Sequence, residues 1–157
     1  MLLSPRANCS VFLDGVERMR VRPMSELFSV LENLGLKILF ARQQGSLPCE
    51  LLPSARRKIT ELRIDCSMSS QVLTGILQIL PFLNSIFSKK IKLRALGTIV
   101  SRPYVDLTMH VLSKFGCSIV ENLPGQFYTP ALSVQSPKNF TVEGDASSAS
   151  YFFASAC

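Results

Sequence analysis

The chain has 157 residues, of which 47% are hydrophobic and 18% are charged. This balance excludes intrinsic disorder, and the length is that of one domain or part of one. Lysine and arginine outnumber the acidic residues by 17 to 11, so the net charge of +6 favours anionic partners without choosing among them.

The first predicted helix covers residues 24–34, where apolar residues recur at helical spacing. Arg22 and Pro23 precede it, and proline suits a first helical turn, where no amide donor is needed. Gly35 is predicted to end the helix, since glycine is favoured just past the last turn. A strand is predicted next, over residues 36–40.

Three arginines, Arg18, Arg20 and Arg22, crowd the approach to the start of this helix. Cations are favoured at the opposite end of a helix, so their placement here is unusual. Either they surround a bound anion or they belong to a solvated loop, and the spacing alone does not decide between the two.

The next predicted elements are a strand over residues 60–65 and an apolar helix over 70–80. The segment Ser69-Ser70-Gln71 lies between them, so helix-start amides, the positive end of the helix dipole and two hydroxyls meet at one point. Phosphate esters bind at such points. The alternative is that Ser69 only caps the helix.

The pattern of the first helix returns 80 positions later, where Arg102-Pro103 opens a predicted helix over residues 103–115 and Gly116 ends it. Ser101 stands before this helix and has the same two interpretations as Ser69, an anion ligand or a cap. The other elements predicted in this region are strands at 90–96, at 117–120 and near 127–132.

A second pair of segments repeats with nearly the same period, because Ser147 follows Ser69 by 78 positions and each stands before an apolar helix. The repeating unit is βαβαββ and is complete over residues 58–138. Residues 1–57 form the latter part of the preceding unit, and residues 139–157 form the opening strand and helix of the next. The fold class is therefore α/β (α+β), with one complete repeat and two partial ones packed around shared helices.

Two connections rich in Pro, Gly, Ser and Gln, over residues 43–55 and 123–138, are predicted to be surface loops. The basic runs at 56–58 and 89–92 are interpreted as solvated charge, so we expect no nucleic-acid partner. His110 has no histidine partner and no nearby nucleophile, which predicts a structural role and no metal site. No nucleotide-binding glycine motif is present, and we expect no cofactor.

The cysteines and the apolar stretches indicate the compartment. Five cysteines, an odd number without a C-x-x-C pair, indicate reduced thiols. The first residues lack the charged and then apolar pattern of a secretory signal. The most apolar stretch, residues 72–87, is too short and too interrupted to span a bilayer. We therefore expect a soluble, cytoplasmic protein without a membrane partner.

Four segments carry the motifs described above: DGVERMRVRP at 14–23, SMSSQ at 67–71, SRPYVD at 101–106 and EGDASSASY at 143–151. In order and spacing they closely resemble the central region of bacterial 5-enolpyruvylshikimate-3-phosphate synthases, an enolpyruvyl transferase family built of βαβαββ repeats. The resemblance covers nearly the whole chain and implies an internal fragment of such an enzyme. Residues 1–140 then belong to its N-terminal-type domain, and residues 141–157 form the crossover and first helix of the second domain.

The resemblance implies transfer of the enolpyruvyl group from phosphoenolpyruvate to the 5-hydroxyl of shikimate 3-phosphate, a step toward chorismate and the aromatic amino acids. It implies small anionic substrates and a full-length enzyme that is a monomer. By position, Arg22 and Gln71 bind phosphoenolpyruvate. The residues that bind shikimate 3-phosphate are Ser69, Ser70, Gln71, Ser101 and Tyr104.

The catalytic aspartate, lysine and glutamate of this family lie in segments without a counterpart here, so the chain alone is expected to be inactive. Two positions depart from the family pattern. Cys66 stands where glycine is usual, in the turn that leads to the phosphate site, and Val21 stands where an acidic residue is usual. Neither change removes a ligand.

Two alternatives stay open. A transferase acting on UDP-N-acetylglucosamine shares the fold and the Arg-Pro helix start. Its reactive cysteine stands about five residues before that arginine, where this chain has Glu17. A non-catalytic relic with residual anion binding would keep the same motifs while lacking half of the cleft.

Overall fold

The computed structural model describes residues 9–53, 58–87, 89–130 and 134–156. Residues 54–57 and 131–133 lie outside these ranges, and they include parts of both predicted loops, of one basic run and of one predicted strand. The described chain forms two sheets with helices between and after their strands, which confirms the predicted α/β (α+β) class.

The first sheet contains three antiparallel strands in the order β1-β3-β2. Its elements in chain order are β1 (Val11–Leu13), α1 (Glu17–Arg20), α2 (Ser25–Asn33), β2 (Leu36–Phe40) and β3 (Cys49–Pro53). Helix α2 matches the predicted helix to within one residue at each end, and β2 matches the predicted strand. Gly35 has a φ of 91°, in the left-handed region that glycine enters freely, so it ends α2 as predicted.

The second sheet contains four strands in the order β4-β5-β7-β6, and only β4 and β5 run parallel. Its elements are β4 (Glu61–Asp65), α3 (Gln71–Phe87), β5 (Lys92–Leu96), α4 (Arg102–Lys114), β6 (Val120–Leu123) and β7 (Gln126–Tyr128), with α5 (Ala146–Ser155) after them. The order and direction of β5-β7-β6 equal those of β1-β3-β2. The internal repeat is therefore present in the topology.

The predicted loop over residues 43–55 is wrong in its second half, because β3 occupies part of it and is the central strand of the first sheet. Cys49 and Leu51 are both fully buried, but the surrounding Pro, Gly and Ser hide this period-two pattern. The predicted loop over 123–138 likewise contains β7, which corresponds to the strand predicted near 127–132.

Helix α3 continues to Phe87 instead of ending at residue 80, and it passes through Pro81. Proline removes one intrahelical hydrogen bond, but Leu83 and Ile86 beyond it are buried and favour continuation.

Two other predicted strands differ from the structure. Strand β6 begins at Val120 rather than at 117, because Cys117 N–H donates to the Leu112 carbonyl over 3.0 Å and so completes the end of α4. Residues 139–144, all of which are described, contain no strand. The predicted opening strand of the third unit is therefore not formed.

Helix α3 lies at the centre of the packing and contacts α4. Its fully buried apolar side chains are Leu73, Ile76, Leu77, Leu80 and Leu83. Helix α2 packs against both β2 and β4 and so joins the two sheets. None of the described helices has the length and apolarity that a bilayer crossing requires.

Candidate functional site

The two parallel strands β4 and β5 end side by side, with Asp65 opposite Leu96. The connections that follow them, together with the first turns of the helices α3 and α4, carry most of the predicted site residues. Cys66 N–H donates to the Leu96 carbonyl over 3.0 Å, and Val100 N–H donates to the Cys66 carbonyl over 3.2 Å. These bonds join the two connections at the carboxyl edge of the sheet, which is where ligands bind in open sheets with parallel strands.

The segment Ser69-Ser70-Gln71 forms the start of α3. Ser69 Oγ accepts a hydrogen bond from Gln71 N–H over 3.2 Å, so Ser69 does act as a helix cap in this structure. Its hydroxyl is exposed and keeps its proton and a second lone pair for a ligand. Ser70 is only 4% exposed, and its carbonyl accepts from Thr74 N–H over 3.0 Å. Ser70 is therefore the least accessible of the predicted ligands.

Ser101 stands before α4 in a left-handed conformation, with φ 58° and ψ 42°. It is the only non-glycine residue with positive φ in the described ranges. Its carbonyl accepts from Tyr104 N–H over 3.0 Å, but its side chain makes no capping bond to the helix. The capping interpretation of Ser101 is therefore wrong for its side chain. The exposed hydroxyl is not engaged in a capping hydrogen bond. The Tyr104 side chain on the same turn is also exposed.

Arg102 and Arg22 occupy equivalent places in the repeat but have different surroundings. Arg102 forks onto the Glu121 carboxylate, with N–O distances of 2.6 and 3.1 Å, and its Nε donates to Asp106 over 2.8 Å. Its guanidinium also lies 5.8 Å from the centre of the Phe127 ring. Arg102 is thus held by contacts within the fold. The hydrogen bonds to Glu121, and after them the one to Asp106, raise its pKa.

The three arginines before α2 have different surroundings. Arg20 forks onto Asp14 with N–O distances of 2.8 and 2.6 Å, and this bond is the main reason that the pKa of Asp14 falls to about 2. Arg18 is exposed. Arg22 is exposed and donates from Nη2 to Gln71 Oε1 over 3.5 Å. The pair predicted to share a ligand is therefore in contact.

Two carboxylates that the sequence did not predict form hydrogen bonds at the end of β4. Glu26 Oε1 on α2 accepts from Asp65 N–H over 3.0 Å. The Asp65 carboxylate accepts from Ser67 N–H over 2.9 Å and from the Ser67 hydroxyl, and the hydroxyl contributes most to the lowered pKa of Asp65. An Asp two residues before a Ser is a turn signal, but nothing local in the sequence indicates Glu26 as a partner.

Cys66 is fully buried, and its thiol donates weakly to the Ile64 carbonyl at 3.6 Å. Burial raises the pKa of this thiol to about 11. The side chain therefore packs in the core, and the turn keeps its backbone bonds to the end of β5. His110 is exposed, and within the described ranges no group of three His, Cys, Asp or Glu residues is placed to hold a metal ion.

Residues 2–157 match the family model of EPSP synthase (3-phosphoshikimate 1-carboxyvinyltransferase). The chain belongs to this family. Two curated relatives named 3-phosphoshikimate 1-carboxyvinyltransferase are 38% identical (Vibrio vulnificus strain YJ016) and 37% identical (Vibrio cholerae serotype O1 strain M66-2) over 145 residues. Each alignment covers 92% of this chain and 33% of the relative, so the chain spans about a third of their length.

The solved structures agree on the fold. An EPSP synthase from Acinetobacter baumannii superposes with a TM-score of 0.63 at 20% sequence identity, over 96% of this chain and 32% of that one. The similarity confirms the enolpyruvyl transferase fold that the family resemblance implied. It carries no residue roles at this level of identity.

Proposed function

We propose that this chain supplies the part of an EPSP synthase active site that binds the two anionic substrates. The reaction is transfer of the enolpyruvyl group from phosphoenolpyruvate to the 5-hydroxyl of shikimate 3-phosphate. The family match supports the reaction class. The Arg22–Gln71 contact carries the proposal for the site, because it brings together two residues 49 positions apart that were assigned to one ligand.

Shikimate 3-phosphate is assigned to the carboxyl edge of β4 and β5. Its proposed ligands are Ser69, Ser70, Gln71, Ser101 and Tyr104. The exposed Ser69 and Ser101 hydroxyls stand on two connections that are hydrogen-bonded to each other, and the amides of α3 add the positive end of a helix dipole. Tyr104 offers an exposed ring on the turn after Ser101. Ser70, being buried, contributes mainly through the helix start that it forms.

Phosphoenolpyruvate is assigned to Arg22 and Gln71. A guanidinium presents two parallel N–H donors that match a carboxylate or a phosphate, whereas the Gln71 amide can donate and accept. Arg102, the repeat equivalent of Arg22, is held by Glu121 and Asp106 and has no fork left for a ligand. Only one of the two duplicated arginines is therefore assigned to substrate.

The chain is proposed to do no chemistry alone, because the family's catalytic acid and base groups have no counterpart in it. Residues 1–140 are proposed to belong to the N-terminal-type domain and residues 141–157 to the crossover and first helix of the second domain. The exposed apolar side chains of Tyr151 and Phe152 on α5 support the proposal that this helix packs against further protein surface in the full-length enzyme. A cytoplasmic location and a monomeric full-length enzyme complete the proposal.

Titration of each ligand into the ¹⁵N-labelled chain, followed by amide chemical shifts, tests this function. Shikimate 3-phosphate should shift the signals of residues 69–71 and 101–104. The shifts should disappear in the Ser69→Ala/Ser70→Ala double variant and persist in Ser118→Ala, which alters an exposed serine near β6.

The same titration separates the alternatives. UDP-N-acetylglucosamine should leave the spectrum unchanged, and saturation by it at lower concentration than shikimate 3-phosphate would favour the other transferase. A well-dispersed spectrum that responds to inorganic phosphate and to shikimate 3-phosphate equally would favour a relic with unspecific anion binding. No phosphate release from the two substrates together is expected from the chain alone.

A further inference from the structure

Glu26 makes a second link between the two segments that carry Arg22 and Gln71. It lies in the first turn of α2, four residues after Arg22. Its Oε1 accepts from the N–H of Asp65, the last residue of β4, over 3.0 Å. The helix that follows Arg22 is thereby tied to the connection that leads to Gln71.

We propose that Glu26 is a positioning residue that sets the separation between Arg22 and Gln71. The proposal rests on the assignment of these two residues to phosphoenolpyruvate. Glu26 acts at a distance from the ligand, by fixing the end of β4 relative to α2, which also packs on that strand. The Glu26 carboxylate accepts a hydrogen bond from the Asp65 amide at the point where β4 ends.

Three successive residues are held by hydrogen bonds, namely the last residue of β4 and the first two residues of the connection that follows it. Glu26 accepts a hydrogen bond from the Asp65 amide, and the Asp65 carboxylate accepts one from the Ser67 amide. Between these two residues, the amide and the carbonyl of Cys66 are both hydrogen-bonded to residues at or after the end of β5. The residue after Ser67, Met68, is 91% exposed, and the start of α3 follows at once. Release of the first anchor therefore allows the helix start, and Gln71 with it, to shift relative to Arg22.

The negative charge of Glu26 makes a positional effect distinguishable from an electrostatic one. A carboxylate close to an anion site disfavours the anion, so by charge alone the substitution Glu26→Ala should strengthen binding. A positional role predicts the opposite sign. Glu26→Gln removes the charge but keeps a side-chain oxygen acceptor, so binding should be retained.

Binding of phosphoenolpyruvate to the full chain, measured by amide chemical shifts, tests the proposal. Glu26→Ala should weaken binding about tenfold, because part of the binding free energy is then needed to bring Gln71 back to its position beside Arg22. Glu26→Asp keeps the charge but shortens the reach, and it should weaken binding similarly. Glu26→Gln and the matched control Glu32→Ala, an exposed carboxylate on the same helix, should stay within about twofold of the wild type.

The outcomes separate this role from the proposed function. Binding by Glu26→Ala that equals or exceeds the wild type, or binding by Glu26→Gln as weak as that of Glu26→Ala, overturns the proposal. Without ligand, Glu26→Ala and Glu26→Asp should shift the Asp65 amide and the Gln71 side-chain amide, and unchanged signals also overturn it. If the wild type does not bind phosphoenolpyruvate, the proposed function fails, while the ligand-free spectra still decide the role of Glu26.

Discussion

Nη2 of Arg22 lies 3.5 Å from Oε1 of Gln71, and the two residues are separated by 49 positions in the chain. One stands before α2 of the first repeat, and the other is the first residue of α3 in the second. The contact therefore joins two repeats, and it needs both the packing of α2 on β4 and the turn after β4. It brings the two residues that are proposed to share a ligand within reach of each other.

Replacement of Arg22 by lysine should weaken phosphoenolpyruvate binding about tenfold or more. An ammonium group keeps the charge but loses the fork of parallel donors. Chemical-shift titration measures the change in dissociation constant. Arg18→Lys is the matched control, because Arg18 is a nearby exposed arginine, and it should bind like the wild type. Equal losses in both variants would mean that the effect is not specific to the position of Arg22.

Ser101→Gly should separate stability from ligand binding. Glycine relieves the left-handed strain at φ 58°, so the free energy of unfolding should stay the same or rise by up to about 1 kcal/mol. Loss of the hydroxyl should weaken shikimate 3-phosphate binding. Urea unfolding and chemical-shift titration measure the two effects. The control Ser118→Gly, at a position without positive φ, should lower stability, and a similar loss in Ser101→Gly would contradict this account.

Arg102→Met should destabilise the fold by about 1–2 kcal/mol. It leaves the Glu121 carboxylate, whose side chain is 18% exposed, without its forked partner, but the 40% exposure of Arg102 limits the loss through solvent screening. The urea unfolding midpoint at constant slope is the measurement. Lys114→Met, in the last turn of the same helix, should cost only a few tenths of a kcal/mol by comparison. Equal costs would mean that the Arg102–Glu121 pair contributes nothing specific.

Acid should destabilise the chain in part through Glu121. The Arg102 hydrogen bonds lower its pKa from the ordinary 4.5 in the folded state. The folded protein therefore binds fewer protons than the unfolded chain, so this stabilisation is present above pH 4.5 and is lost as the pH falls through the folded pKa. Between pH 7 and about pH 3.5, Glu121→Gln should lose less stability than the wild type. An identical loss would exclude Glu121 from the acid response.

Much of the fold was predictable because the residues that begin and end its helices are local sequence signals. Proline and glycine at the ends of α2 and α4 are recognisable from the sequence, and the repeat of these signals predicted the arrangement of the elements. Strand β3 was missed because its buried positions, Cys49 and Leu51, alternate over only five residues within a stretch rich in turn-forming residues. A short strand of this kind forms because of the strands that it pairs with.

The site was predictable to a lesser extent, for a physical reason. Helix starts and exposed hydroxyls are local features, so Ser69 and Ser101 could be identified as candidates. The different surroundings of Arg22 and Arg102 could not, because Glu121 lies 19 positions from Arg102 and becomes its partner only when β6 is placed. The Glu26–Asp65 bond also depends on tertiary packing, since it spans 39 positions.

The central claim is that Arg22 and Gln71 belong to one preformed anion site. Its most direct test follows the Arg22 Nε–H signal and the Gln71 side-chain amide signals during a single phosphoenolpyruvate titration. The account predicts that both sets of signals shift along saturating curves with the same dissociation constant, and that Gln71→Ala weakens the response of Arg22. Independent curves, or a response of Arg22 that is unchanged in Gln71→Ala, would contradict it.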